Sequence, residues 1–344
     1  MNTNILIFFV ASPLQIIAAT VIAKEEKDDI NLCRRKTVLV CYKPDLKGIS
    51  TDSIWDTIIY MPWPRYQPLP GPFGVSKRLL RNIHMISKVV GDNPTIHCFS
   101  ATYDNEAVNY FIYFFKKYSL NCSFSLIPDG ALNLVRHPQT LANRLLKTFR
   151  VFRSLYSKEI RYTFYKGDRL GADANFIKSI YILNGLNTEY DIKKIIELKH
   201  FFSDTKFKKT TSSKKALVVG QPLSGYKLID NTDLVELSSK VKKWLVREQI
   251  EHIYYKSHPK DTQRNLYDES YKLLPSNMAI EKYLANNYFD YVIGVHSSVL
   301  IFAKQLYGNE SEIVSFGLDK IRFKNPKLKK KIFTLFCSLG ITIL

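Results

Sequence analysis

Clustered cysteines, long apolar runs and acidic residues are all in short supply in this chain. The five cysteines (Cys33, Cys41, Cys98, Cys122, Cys337) are scattered and odd in number, with no Cys-x-x-Cys or Cys/His cluster. Most lie in or beside apolar, strand-like runs. That pattern excludes a disulfide scaffold and fits buried thiols in a reducing compartment. No stretch reaches the ~20 apolar residues that a bilayer span needs. Residues 5–23 come nearest, but no basic segment precedes them, and Ser12, Pro13 and Gln15 interrupt them. They read as a buried strand over 5–10 and a helix over 13–24, with Pro13 at the helix start. The sequence also lacks any 20–50-residue repeat.

Acidic residues number 31 against 50 lysines and arginines, a formal net charge of +19. Such a balance favours an acidic partner: nucleic acid, an anionic membrane surface or a negatively charged substrate. There is no helix-turn-helix, zinc-finger or RNP-like motif, so nucleic acid is not the expected partner. Much of the charge sits in local runs at 206–215, 240–247 and 320–331. Each run fits a solvated face or a membrane-facing one.

What is present is alternation. At 344 residues and 46% hydrophobic content, the chain is the right size for two domains with a large buried core. Strands are predicted over 5–10, 37–41, 57–61, 95–99 and 123–127. Helices are predicted over 13–24, 75–90 and 105–117. Residues 61–74 carry five prolines and two glycines and must form a loop. Its Trp63, Tyr66 and Phe73 suit either stacking on a sugar or packing the loop down. Residues 143–156 read as a basic amphipathic helix and 189–202 as a further helix. The polar, lysine-rich segment 203–213 reads as a linker.

Beyond it the alternation restarts, with strands over 216–220, 252–255, 291–294 and 312–316. Helices are predicted over 233–248, 266–274 and 299–307. The expectation is an α/β protein with two Rossmann-like α/β domains, 1–202 and 214–320, facing a cleft. The tail 321–344 ends in an almost wholly apolar segment, 332–344, after the basic run 327–331. It is either an interfacial segment or a C-terminal helix packed across the other domain.

Three motifs stand at the carboxyl ends of predicted strands, where open α/β sheets bind ligands. Asp129-Gly130 offers a carboxylate that can take a proton, beside a glycine that permits close backbone approach. Asp-Gly is also a common turn pair. Lys256-Ser257-His258-Pro259 offers an imidazole held at a strand tip, because Pro259 restricts His258 to extended geometry. A structural histidine is the alternative. His137-Pro138 follows no apolar strand and is set aside. Ser297-Ser298 opens a helix, which suits plain capping or binding of an anion at the helix N-terminus. His296 is a possible further ligand. A base, an acid and an anion-binding turn together suggest group transfer from an activated phosphate donor.

With these motifs in this order, the chain resembles bacterial GT-B sialyltransferases, the lipooligosaccharide sialyltransferase and polysialyltransferase-like families. The matching segments are Ile127-Pro128-Asp129-Gly130, Ser257-His258-Pro259 and His296-Ser297-Ser298. The segments Ala11-Ser12-Pro13-Leu14-Gln15 and Gly220-Gln221-Pro222-Leu223-Ser224 also look like these families. Pro128 departs from the pattern, since many relatives carry a second acidic residue there.

The resemblance implies a GT-B-like fold and transfer of sialic acid from CMP-sialic acid by inverting direct displacement. The acceptor would be a terminal sugar, galactose by expectation, of a bacterial surface glycan: lipooligosaccharide, O-antigen or capsule. Asp129 would be the base and His258 the group serving the CMP phosphate. Ser297 and Ser298 would bind the donor, with Gly130, Pro259, Gln221 and Lys256 beside them. No metal or other cofactor is implied, which agrees with the lack of a DxD-like pair near a strand end. The implied partners are CMP-sialic acid, a lipid-linked glycan and an anionic membrane surface. The implied place is the cytoplasm, peripheral at the inner face of the bacterial cytoplasmic membrane. Two competing enzymes, a CDP-polyol phosphotransferase and a CMP-Kdo transferase, would use similar groups. A basic nucleic-acid-binding protein and an idle nucleotide-binding partner of a membrane assembly are the non-enzymatic alternatives.

Overall fold

A computed structural model describes residues 4–28, 35–44, 46, 53–92, 94–119, 121–130, 135–186, 188–198, 213–258, 260–275, 279–323 and 326–344. The chain divides into two compact units, Met1–Phe201 and Phe202–Leu344. Most of the linker predicted at 203–213 lies outside the described residues.

In the first unit the elements run β1 (Asn4–Val10), α1 (Pro13–Asp28), β2 (Lys36–Cys41), β3 (Thr57–Tyr60), α2 (Gly74–Val90), β4 (Thr95–Ser100), α3 (Glu106–Tyr118) and β5 (Asn121–Leu126). Then come α4 (Leu141–Thr148), a 3-10 segment Phe149–Leu155, β6 (Ile177–Leu183) and β7 (Ile195–Leu198). The sheet order is β3-β2-β1-β4-β5-β6-β7, and every pairing is parallel. β1 lies inside this sheet, and Ile5 to Val10 are all buried. A strand covered on both faces needs a continuous apolar run. That explains why residues 5–23 look like a membrane anchor: the run fills a core strand and the buried side of α1. Among the described residues no helix is long and apolar enough to cross a membrane.

The second unit comprises β8 (Lys215–Val219), α5 (Asn231–Arg247), β9 (His252–Lys256), β10 (Lys272–Leu273), α6 (Ile280–Asn286), β11 (Tyr291–Gly294), α7 (Ser298–Tyr307), β12 (Glu312–Ser315), α8 (Pro326–Ser338) and β13 (Thr342–Ile343). Its sheet, β10-β9-β8-β11-β12-β13, is also parallel throughout. Both units are thus α/β and Rossmann-like.

Several local expectations change. The helix expected over 189–202 is instead a short 3-10 turn, Ile192–Lys194, followed by β7 on the edge of the sheet; residues 199–202 lie outside the description. The helix expected over 266–274 is broken where Asp268 Oδ1 accepts from the Ser270 N–H at 3.1 Å and the Ser270 hydroxyl at 2.6 Å. An aspartate that bonds its own backbone two residues on favours a turn over a helix. β10 follows it directly.

The helix expected over 143–156 is α-helical only to Thr148 and then tightens to 3-10. In the proline-rich loop Trp63 packs against Tyr42, with ring centroids 4.8 Å apart. Tyr66 and Phe73 are exposed. The C-terminal tail packs on its own unit: Ile332, Phe336 and Ile341 are buried, and β13 pairs with β12. Cys41 and Cys98 are buried, Cys122 is partly buried and Cys337 is exposed.

Candidate active site

In the second unit β8 lies between β9 and β11. The chain first grows outward from β8 through β9 to β10, then resumes on its other side with β11. The boundary between β8 and β11 is therefore a topological switch point, where the crevice for a ligand opens in this class of sheet.

The loop after β8 holds both neighbours. Gln221 is buried, and its Oε1 accepts from the backbone N–H of Val295 at 3.1 Å and of His296 at 3.0 Å. Its Nε2 lies 3.3 Å from His296 Nδ1. One glutamine side chain thus clamps the turn between β11 and α7. Burial holds His296 down to about 4, so its ring is neutral at physiological pH. Ser297 caps α7, its hydroxyl accepting from the Val299 N–H at 3.3 Å. Ser298, the first residue of α7, is exposed.

On the other side, the Gly220 N–H donates to the Lys256 carbonyl at 2.9 Å. A Cβ on Gly220 would stand 2.3 Å from Tyr255 Oη and 2.9 Å from Asp261 Oδ2. Without it, the buried Tyr255 hydroxyl donates to the buried Asp261 at 3.0 Å directly over the glycine. The Asp261 N–H donates in turn to the His258 carbonyl at 2.8 Å. The turn that carries His258 is therefore tied to the core while His258 itself is exposed. The Lys260 N–H donates to His258 Nδ1 at 3.1 Å. With Nδ1 accepting, the neutral ring carries its proton on Nε2.

Lys256 ends β9 and is buried. Burial pulls its pKa down, and the Glu281 carboxylate of α6 works against that. Burial raises the Glu281 carboxyl, while its own backbone N–H and Lys256 favour the charged form. Pro259 lies outside the described residues.

Asp129 belongs to the first unit, past the end of β5, and is partly buried. Burial pushes its carboxyl up; a hydrogen bond from Gln15 and the charge of Lys43 draw it part of the way back. Gln15 is itself buried, and its Oε1 accepts from the Ala11 N–H at 2.7 Å. That bond orients the amide so that its nitrogen is the end left to donate. Gly130 follows Asp129 at φ +59°, the left-handed region that glycine enters without a steric cost.

Of the eight predicted site residues, Gln221, Lys256, His258, Ser297 and Ser298 line the carboxyl ends of three neighbouring strands in the second unit. Asp129 and Gly130 stand in the first. Gln15, Glu281 and the Tyr255–Asp261 pair were not among them. Gln15 had a signal, since it closes the Ala11–Gln15 segment after β1. Glu281 had none, because only the fold brings α6 to Lys256. His137-Pro138 is held in a loop: the His137 N–H donates to Asp168 Oδ2 at 2.5 Å, and Pro138 bridges Asp168.

Two α/β units, each with a parallel sheet and loops gathered at the strand ends, define a GT-B-like architecture of the kind that nucleotide-sugar enzymes use. Within that class, the chain belongs to the alpha-2,8-polysialyltransferase family, which it matches over residues 6–314. It is accordingly a glycosyltransferase of the sialyltransferase type. No curated protein matches it significantly. Among solved structures, a candidate UDP-N-acetylglucosamine 2-epimerase from Listeria monocytogenes is similar over 99% of this chain and 88% of its own, at 10% identity and a TM-score of 0.52. The UDP-GlcNAc 2-epimerase of Neisseria meningitidis, solved with UDP-GlcNAc bound, is similar over 91% of this chain and 82% of its own, at 10% identity and a TM-score of 0.50. At that identity the likeness concerns the fold.

Proposed function

We propose that the protein transfers sialic acid from CMP-sialic acid to the terminal sugar of a bacterial surface glycan, with galactose as the favoured acceptor, by inverting direct displacement. The observation that carries this reading is the Gln221 clamp in a chain of the polysialyltransferase family. It joins the β8 loop to the N-terminus of α7 at the switch point of the sheet. The amides of a helix N-terminus and its dipole suit a phosphate or carboxylate, and CMP-sialic acid carries both.

In this mechanism Asp129 takes the proton of the acceptor hydroxyl. A carboxyl raised by burial is a stronger base than an ordinary one, and nearer the working pH. Gly130 leaves room for the acceptor to approach. His258 protonates or stabilises the departing CMP phosphate. Lys256, Ser297 and Ser298 hold the donor. Lys256 and the α7 N-terminus supply the positive charge, His258 supplies its Nε2 proton, and no resident metal takes part. The acceptor is lipid-linked and is met at the inner face of the cytoplasmic membrane, where a basic protein is concentrated by anionic lipid.

The test supplies CMP-sialic acid, CDP-glycerol and CMP-Kdo separately, with a galactose-terminated acceptor, followed by linkage analysis of the product. CMP release with a sialylated product from the first alone is the expected result. Consumption of CDP-glycerol or CMP-Kdo in its place overturns the reading.

A further inference from the structure

Helix α4 and the 3-10 segment after it are turned inside out. Lys147 is buried, and its ammonium lies 2.5 Å from Asp104 Oδ1. Arg150 donates to the Asp104 carbonyl and to the Tyr162 hydroxyl, each at 3.2 Å. Arg153 pairs with Glu106 and donates to the Tyr110 hydroxyl at 2.8 Å. The cations of this segment thus fasten its inner side to the start of α3.

The outer side is apolar. Leu141 is 76% exposed, Leu145 65%, Leu146 64%, Phe149 67%, Phe152 63% and Leu155 83%. The series 141, 145, 149, 152 follows the helical spacing that puts side chains on one stripe. Scattered exposed leucines are ordinary on a protein surface; a contiguous stripe of them marks an interaction site. Tyr156 and the exposed Phe73 extend it, with ring centroids 5.8 Å apart.

Charge decides what covers the stripe. Between residues 141 and 166 stand Arg144, Lys147, Arg150, Arg153, Lys158, Arg161 and Lys166 against a single acid, Glu159. Lys147, Arg150 and Arg153 face inward, whereas Arg144 on α4 and Lys158, Arg161 and Lys166 after it are exposed. A second copy of the chain would bring the same cations face to face in a two-fold contact, which is repulsive. A surface of acyl chains behind anionic headgroups suits both features.

We infer that residues 141–155 form a docking surface for an anionic lipid bilayer, with the apolar stripe inserted at the headgroup boundary and the exposed cations above it. This rests on the membrane encounter proposed above and gives it a surface. Vesicle binding needs no donor, so failure of docking and failure of sialyl transfer are distinguishable.

The test is co-sedimentation of the full chain with vesicles of phosphatidylcholine alone and of phosphatidylcholine mixed with phosphatidylglycerol. The chain is expected to bind the mixed vesicles, less so as salt rises. The variant Leu145→Ser/Phe149→Ser/Phe152→Ser should bind them at least about tenfold more weakly, since three apolar side chains leave the interface. Its thermal unfolding should match that of the parent. Equal binding by parent and variant overturns the inference. So does a dimer in lipid-free buffer that the same substitutions dissolve, because a second copy then covers the stripe. If the triple variant unfolds, Arg144→Glu/Lys158→Glu replaces it: lost binding supports the inference and undiminished binding overturns it.

Discussion

Gln15, at the start of α1, donates a hydrogen bond to Asp129, beyond the end of β5. The two residues are far apart in sequence and meet because β1 and β5 flank β4 in one parallel sheet. The bond favours the charged carboxylate, against the burial that disfavours it. Removing it should raise the Asp129 pKa further. Gln15→Ala is therefore expected to shift the acid limb of the kcat/KM profile to higher pH. An acid limb that stays in place would show that Gln15 does not tune the base.

His258 is exposed at the tip of β9, so its removal should leave the fold intact. His258→Ala should reduce transfer by about 10²-fold or more, the loss typical of a positioned acid. Steady-state rates measured beside a thermal melt check both parts. Turnover near that of the parent sinks the assigned role.

Gly220 is required by its neighbours and not by its backbone angles. Gly220→Ala would put a methyl against the Tyr255 hydroxyl and should cost roughly 1–3 kcal/mol by overpacking. Tyr255→Phe removes that hydroxyl but leaves Asp261 without its donor. The double variant is expected to be less destabilised than the sum of the two singles, by denaturant titration. Strict additivity would mean that the contact does not set the cost.

His296 makes stability depend on pH. In an unfolded chain it titrates near 6.5, whereas burial holds it to about 4 in the fold. Between these values the unfolded state binds more protons, so stability rises with pH across the window and is fully present above 6.5. His97 does the same in the first unit, held to about 3 by burial and by the charges of Lys178 and Arg35. His296→Asn should flatten the second unit's dependence by up to about 1.4 kcal/mol per pH unit. Denaturant unfolding followed at Trp244, in the core of that unit, reads this slope. An unchanged slope rejects the assignment.

Strands β1, β2 and β8 were legible because each is buried on both faces and reads as a run of apolar residues. The edges were not. Ile192, Ile195 and Ile196 have helical spacing, yet β6 offers an open edge and the segment pairs with it as β7. Ile192 remains 82% exposed, so the apparent helical face was never buried. In the same way, residues 143–156 were legible as basic and amphipathic. Their orientation was not, because periodicity says that two faces differ and is silent on which one Asp104 and Glu106 will claim.

The amino-acid sequence by itself determined the alternating α/β pattern, the order of the strand-tip motifs and the strongly basic balance. These follow from local chemistry: burial period, turn residues and charge. Tertiary structure alone decided which motifs become neighbours. Strand order sets β8 between β9 and β11, so Gln221 reaches His296 while Gly220 makes room for Tyr255 and Asp261. It likewise carries Gln15 to Asp129. Parallel pairing joins segments distant in the chain, and no local preference encodes which partner a strand will take.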